Sequence, residues 1–202
     1  MVNTLKYITA ITELLAKNKD KLNELDQAIG DGDHGTNIVR GFEACLKNKD
    51  KFTEQSTYDA DLMLCSQSLM SQVGGSSGPL LGVSFMKLSA AFKGQAKITN
   101  QIFAKGLEDA CAGISMFGGQ SKVGDKTMLD ALIPAANALK NSQSETLDFA
   151  AASAAATKGA NSTIDLIAKK GRASYLGERS VGHMDPGACS VSLIFQALAE
   201  VK

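Results

Sequence analysis

Asp26, Asp31 and Asp33 stand close together in the run Asp26-Gln-Ala-Ile-Gly-Asp-Gly-Asp-His-Gly-Thr-Asn37, with Gly30 and Gly32 set between them. Clustered carboxylates repel one another and need protons, basic partners or a cation. This run supplies no Lys or Arg before Arg40, so a hard divalent cation is the economical solution. Magnesium takes oxygen ligands and shares its shell between a few carboxylates and substrate phosphates. On one continuous helix Asp26 and Asp31 would point about 140° apart, so the helix carrying Asp26 must end near Gly30. Positive φ at Gly30 and Gly32 would then fold the chain back. The plainer alternative is a helix cap, with Asp33 capping a helix that opens near His34; a cap needs one carboxylate, and here there are three.

Three further stretches rich in Gly, Ser and Asp could meet an anion: 74–79, 118–127 and 171–187. Gly74-Gly-Ser-Ser-Gly-Pro79 would offer backbone amides at a helix N-terminus, with Pro79 suited to the first helical turn. As a plain Gly-Ser turn it would look no different. The stretch 171–187 holds Arg172, Arg179 and an Asp185-Pro186-Gly187 turn. His183 reads as a hydrogen-bonded structural residue, whereas His34, beside the acids, is a candidate nucleotide contact.

Three familiar motifs fail. Gly30-x-Gly32-x-x-Gly35 matches the dinucleotide fingerprint, but a helix precedes it and its acids would repel a bare pyrophosphate. An EF-hand would need an oxygen ligand at Gly35 and an acid at Phe42. Gly119 to Thr127 nearly spells a P-loop, but Asp125 intrudes before Lys126 and no strand leads in; Lys126 and Thr127 remain as phosphate or helix-start residues.

The elements that must position these residues read as helices. Apolar residues recur at three- and four-residue steps from Leu5 to Leu15, Ile38 to Leu46, Leu62 to Val73, Leu80 to Phe92, Ile102 to Met116, Met128 to Leu139, Leu147 to Ile167 and Ala188 to Val201. That predicts about eight helices, no sheet and one all-α domain over residues 1–202. Ala-rich text at 149–156 favours close helix packing. Lys+Arg and Asp+Glu balance at 21 each, so no global positive field draws in nucleic acid or a membrane. Cys45, Cys65, Cys111 and Cys189 form no metal-binding pair and read as buried thiols in a reducing compartment. With no leader and no membrane-length apolar run, the cytoplasm is the expected location.

Taken in order, Gly30-Asp-Gly-Asp-His-Gly, Gly74-Gly-Ser-Ser-Gly-Pro-Leu, Gly124-Asp-Lys-Thr-Met-Leu-Asp and Gly171-Arg-Ala-Ser-Tyr-Leu-Gly-Glu-Arg-Ser with Gly182-His-Met-Asp-Pro-Gly-Ala closely resemble the nucleotide-binding L subunit of dihydroxyacetone kinases. The resemblance spans essentially the whole chain. It implies a closed barrel of about eight antiparallel amphipathic helices with ADP and two Mg²⁺ at one end. The family's metal-binding aspartates fall on Asp26, Asp31 and Asp33. Its nucleotide contacts fall on His34, Gly35, Thr36 and Asn37, on Ser76 and Ser77, on Gly119 and Met128, on Arg172, and on Asp185, Pro186 and Gly187. Gly32 and Ser76 stand where the family usually has Ala, which loosens one loop and adds a hydroxyl without removing a ligand.

A free-standing unit of this kind resembles the phosphotransferase-system version. Its tightly held ADP is rephosphorylated by a phosphohistidine-carrying M subunit and passes the phosphoryl group to dihydroxyacetone on a partner K subunit; a homodimer is compatible with this. Phosphoryl transfer asks for positioning and charge neutralisation more than covalent work, so no catalytic residue beyond the metal ligands is expected. The alternatives are the nucleotide domain of an ATP-dependent or fatty-acid kinase, against which His34 speaks, and a regulatory subunit that binds a transcription factor.

Overall fold

The computed structural model describes residues 4–53 and 56–201 of the chain. Nine α-helices and no strand occur among the described residues: α1 (Thr4–Lys17), α2 (Lys19–Ile29), α3 (His34–Leu46), α4 (Tyr58–Gln72), α5 (Ser77–Phe92), α6 (Asn100–Phe117), α7 (Leu129–Asn141), α8 (Phe149–Ser162) and α9 (Pro186–Glu200). The all-α expectation holds. The added helix is α2, whose polar face hides it from an apolar-stripe reading; only Leu22 and Ile29 of it are buried. It is set off from α1 at Asn18, whose side-chain amide turns back to the Leu14 carbonyl. The stretch expected as helix to Ile167 instead leaves α8 at Ser162 for a short 3₁₀ turn, Thr163–Asp165, and 3₁₀ turns also occupy Arg172–Ser180.

Each helix from α3 to α9 packs on the next, α9 returns against α1, and α1 packs on α3, so the contacts run in a ring. The buried face of each helix supplies one continuous core, with Leu15, Phe42, Leu69, Ile114, Leu129 and Leu139 essentially sealed from solvent. Burying side chains of this size stabilises by roughly 1.5–3 kcal/mol each and is what closes the helices on one another. Edge-to-face rings tie neighbours together, Phe42 to Phe85 and Phe103 to Phe149. Inside the ring lies a largely apolar cavity of about 1320 Å³, lined by side chains such as Ile8, Leu81, Phe85, Leu132 and Phe195; none of the three clustered aspartates reaches it. All four cysteines are buried and free. No described helix is long and apolar enough to cross a membrane.

Candidate metal centre

The aspartate run folds back as its spacing requires. Helix α2 ends at Ile29, Gly32 takes φ +80°, and α3 begins at His34. Gly30 does not take the expected positive φ; its φ is −147°. Glycine is needed there for a different reason, because a β-carbon at residue 30 would collide with the Asp26 Oδ1 atom. The result is that Asp26, Asp31 and Asp33 each offer a carboxylate oxygen within 4.8 Å of the others, Asp26 half-buried and the other two exposed. This is an all-oxygen donor set, which suits a hard divalent cation and not zinc or copper.

The capping role belongs to another aspartate than the one the plainer alternative names. Asp33 occupies the N-cap position of α3 but makes no side-chain cap bond. Asp26 Oδ2 instead accepts from the backbone N–H of Asp33 at 2.9 Å and of His34 at 3.1 Å. One carboxylate therefore does two things: it satisfies amides at the start of α3 and belongs to the cluster with Asp31 and Asp33.

The run lacks a basic residue of its own, but the fold supplies one from far along the chain: Arg172 Nη1 pairs with Asp31 Oδ2. Arg172 is held there by a small apolar cluster in which Ile29, the last residue of α2, packs with Ala168, Ala173 and Leu176. The same segment is stitched to the loop after α6, since Lys170 Nζ donates to the Gly119 carbonyl at 2.7 Å and Lys169 Nζ to the Gly124 carbonyl at 3.1 Å.

Four helix N-termini meet around the aspartates. His34, at the start of α3, places Nδ1 3.3 Å from Ser77 Oγ of α5 and Nε2 3.1 Å from Ser190 Oγ of α9. Ser190 donates its own proton to the Gly187 carbonyl at 2.9 Å, so it accepts from Nε2–H, and Nδ1 is left to accept from Ser77. Gly187 lies against Met128, the N-cap residue of α7. Unpaired amides and the partial positive charge of such termini favour an anion.

Burial pushes the His34 pKa below its ordinary 6.5, against the pull of Asp26 and Asp33. Because the folded pKa is depressed, the stability His34 contributes is complete above the unfolded value and drains away as pH falls through the folded one. Urea titrations at pH 7.5 and 5.5 are expected to show a larger loss for the wild-type protein than for His34→Gln; equal losses would contradict a neutral, buried ring.

The other expected site residues fall as follows. Asn37 is buried beneath Gly74, its Oδ1 held by Arg40 Nη2 at 2.8 Å. Gly35 and Thr36 are turned to α2: Gly35 abuts the Lys19 carbonyl, and Thr36 exchanges two 3.0 Å bonds with Asn23. Ser76 is exposed at the N-cap of α5. Asp185 caps α9 by accepting from Ala188 N–H at 2.7 Å, and Pro186 is its first residue. Burial, with Asp130 and Asp26 nearby, raises the Asp185 carboxyl to about 7 against the Ala188 bond and Lys126.

Two residues here were not singled out from sequence. Asp130 is buried and accepts from Gly124 N–H at 2.6 Å and Thr127 N–H at 2.8 Å, which folds the turn before α7. Its signal was present as the Thr127-x-x-Asp130 capping spacing. Ser190 carried no motif; only the approach of the first turns of α9 to His34 reveals it.

Fold and site together define an all-helical domain with three carboxylates and several helix N-termini gathered at one end. A family match described as DAK2 domain covers residues 28–200, and the chain belongs to that family. It is 40% identical over 200 residues to the protein of Listeria innocua serovar 6a named PEP-dependent dihydroxyacetone kinase 1, ADP-binding subunit DhaL, covering 98% of this chain and 95% of that one. It is 37% identical over 199 residues to the PEP-dependent dihydroxyacetone kinase ADP-binding subunit DhaL of Escherichia coli K12, covering 96% and 93%. Among solved structures, the dihydroxyacetone kinase of C. freundii in complex with AMP-PNP and Mg²⁺ superposes with TM-score 0.76 at 26% identity, over 100% of this chain and 34% of that one.

Proposed function

We propose that this chain is the ADP-binding subunit of a phosphotransferase-system-dependent dihydroxyacetone kinase, working in the cytoplasm as one domain. The observation that carries the reading is the meeting of Asp26, Asp31 and Asp33 within 4.8 Å of one another among the N-termini of α3, α5, α7 and α9. The near full-length likeness to proteins named as ADP-binding subunits supports it.

In this reading Asp26, Asp31 and Asp33 hold two magnesium ions. When bound, the ions neutralise phosphate charge and the nucleotide carries the phosphoryl group. The chain's own residues then bind and orient. Amides of the Ser76–Ser77 turn and, in the Asp185–Gly187 turn, the N–H of Gly187 face the phosphates, since Pro186 has no N–H and that of Asp185 is held by Thr163 Oγ1. Met128 and Gly119 border the nucleotide, Arg172 adds positive charge beside Asp31, and Asn37 supports the Gly74 turn from below. His34 sets Ser77 and Gly187 at a fixed spacing, while Gly35 and Thr36 hold α3 to α2. The phosphoryl group would come from a phosphohistidine M subunit and go to dihydroxyacetone on a K subunit.

Native mass spectrometry of the purified protein tests this. A mass excess equal to ADP plus two magnesium ions is expected, and the ADP should become phosphorylated when a phosphohistidine carrier is added. A protein that arrives empty, and binds and turns over ATP, would overturn the cofactor reading in favour of an ATP-dependent kinase.

A further inference from the structure

Lys126 is a buried cation that the site, as described so far, does not use. It stands in the turn before α7 with φ +62°, a left-handed conformation rare for a residue with a β-carbon, and is 1% exposed. Its place beside glycines and Thr127 suits a phosphate or helix-start residue. The side chain instead runs inward, and its Nζ donates to the carbonyl oxygens of Thr163 and of His183.

A buried ammonium needs both acceptors and counter-charge. The two carbonyls are the acceptors. Asp185, Asp165 and Asp130 supply the opposing field, against the burial that lowers the lysine's pKa.

The two carbonyls flank a single object. Thr163 opens the turn after α8, and its Oγ1 accepts from the Asp185 N–H at 2.9 Å. His183 lies just ahead of Asp185 on the approach to α9. The first turn of α9 carries the Gly187 carbonyl, to which Ser190 and through it His34 are bonded.

We infer that Lys126 is a positioning residue for nucleotide binding: from its left-handed turn it clamps the Thr163 and His183 carbonyls and so fixes Asp185–Gly187 against Met128 at the aspartate end. Lys126 touches no proposed metal ligand; it acts through the start of α9. The inference rests on the reading that this end holds a magnesium nucleotide. A left-handed backbone there brings the stem inward, and a side chain without N–H donors would take from the Thr163 and His183 carbonyls the one donor that ties them together.

The test uses the full chain and Lys126→Met, with three readouts. These are ADP affinity by calorimetry at saturating Mg²⁺, Mn²⁺ affinity by electron paramagnetic resonance without nucleotide, and amide exchange of peptides from 183–190 and from α4. ADP affinity is expected to fall at least about tenfold while Mn²⁺ affinity stays within about twofold, because only the anion-facing turn is displaced. Exchange should rise at 183–190 and not in α4.

ADP affinity within about twofold of wild type would overturn the inference; so would ADP and Mn²⁺ falling together with exchange rising everywhere, which is general loosening. If Lys126→Met does not fold, Thr163→Val decides, since it removes the hydroxyl bonded to Asp185 and keeps the carbonyl that Lys126 holds. The same selective loss of ADP with exchange rising at 183–190 supports the clamp, and wild-type ADP affinity despite exchange rising there overturns it, because Asp185–Gly187 would then not need fixing for ADP to bind. A wild-type protein that binds no ADP defeats the nucleotide reading itself. The exchange comparison then still judges the clamp: a rise confined to 183–190 supports it and no change overturns it.

Discussion

Asn in place of Asp31 or of Asp33 is expected to weaken magnesium and ADP binding together while leaving the fold intact. Removing a residue that merely orients a metal ligand costs about 10–100-fold in metal affinity. Removing a ligand itself should reach at least the upper figure, about a hundredfold or ~2.7 kcal/mol. Stability should hardly change, for reasons visible in the geometry. Asp31 is paired with an Arg172 that is itself 61% exposed, and exposed pairs contribute roughly 0–1 kcal/mol. Asp33 sits at the N-cap of α3 without a side-chain cap bond, so Asn costs no helix start. Calorimetry with ADP at fixed Mg²⁺, run beside urea denaturation, separates the two effects. Unchanged nucleotide affinity in either variant would defeat the proposed role of the aspartates.

Asp26 is expected to behave differently, because its carboxylate is both a proposed ligand and the cap of α3. Asp26→Asn keeps an oxygen for the Asp33 and His34 amides and removes the charge, so it should lose metal affinity as the other two do and cost less than about 1 kcal/mol of stability. Asp26→Ala removes both. Leaving two amides at a part-buried helix start without their acceptor should cost about 2 kcal/mol, at the upper end for a lost cap. Relief of repulsion among the three carboxylates in metal-free protein works the other way, so the difference between the variants should widen when Mg²⁺ is present. Urea midpoints of the two variants, with and without Mg²⁺, measure this. Equal stability of Asn and Ala would mean that the two amide bonds do not hold α3.

The comparison between these aspartates also separates what was legible in the chain from what was not. Eight of the nine helices, the all-α class and the break near Gly30 followed from local patterns: a 3.6-residue stripe is imposed by one buried face, and acids spaced by glycines mark a chain reversal within a few residues. The clustering of Asp26, Asp31 and Asp33 was likewise readable, since the three lie on one short reversal. Helix α2 carried no stripe, because few of its side chains are buried, and was legible only as the helix that bears Asp26 and ends near Gly30.

What stayed hidden involves partners far apart in sequence. No local pattern shows that Asp31 faces Arg172, that the ring of His34 bridges Ser77 and Ser190, or that Asp26 caps α3 in place of Asp33. Lys126 is the sharpest case: beside glycines and a threonine it reads as a phosphate ligand, and only the packing of α7, α8 and α9 turns it inward to two carbonyls. The amino-acid sequence by itself determined the helices, the carboxylate cluster and the family, because propensity, periodicity and motif spacing act over a few residues. Only the tertiary structure decided which buried polar group meets which. A buried donor or acceptor takes whatever partner the folded chain brings within about 3 Å, and that neighbour is set by the closing of the ring.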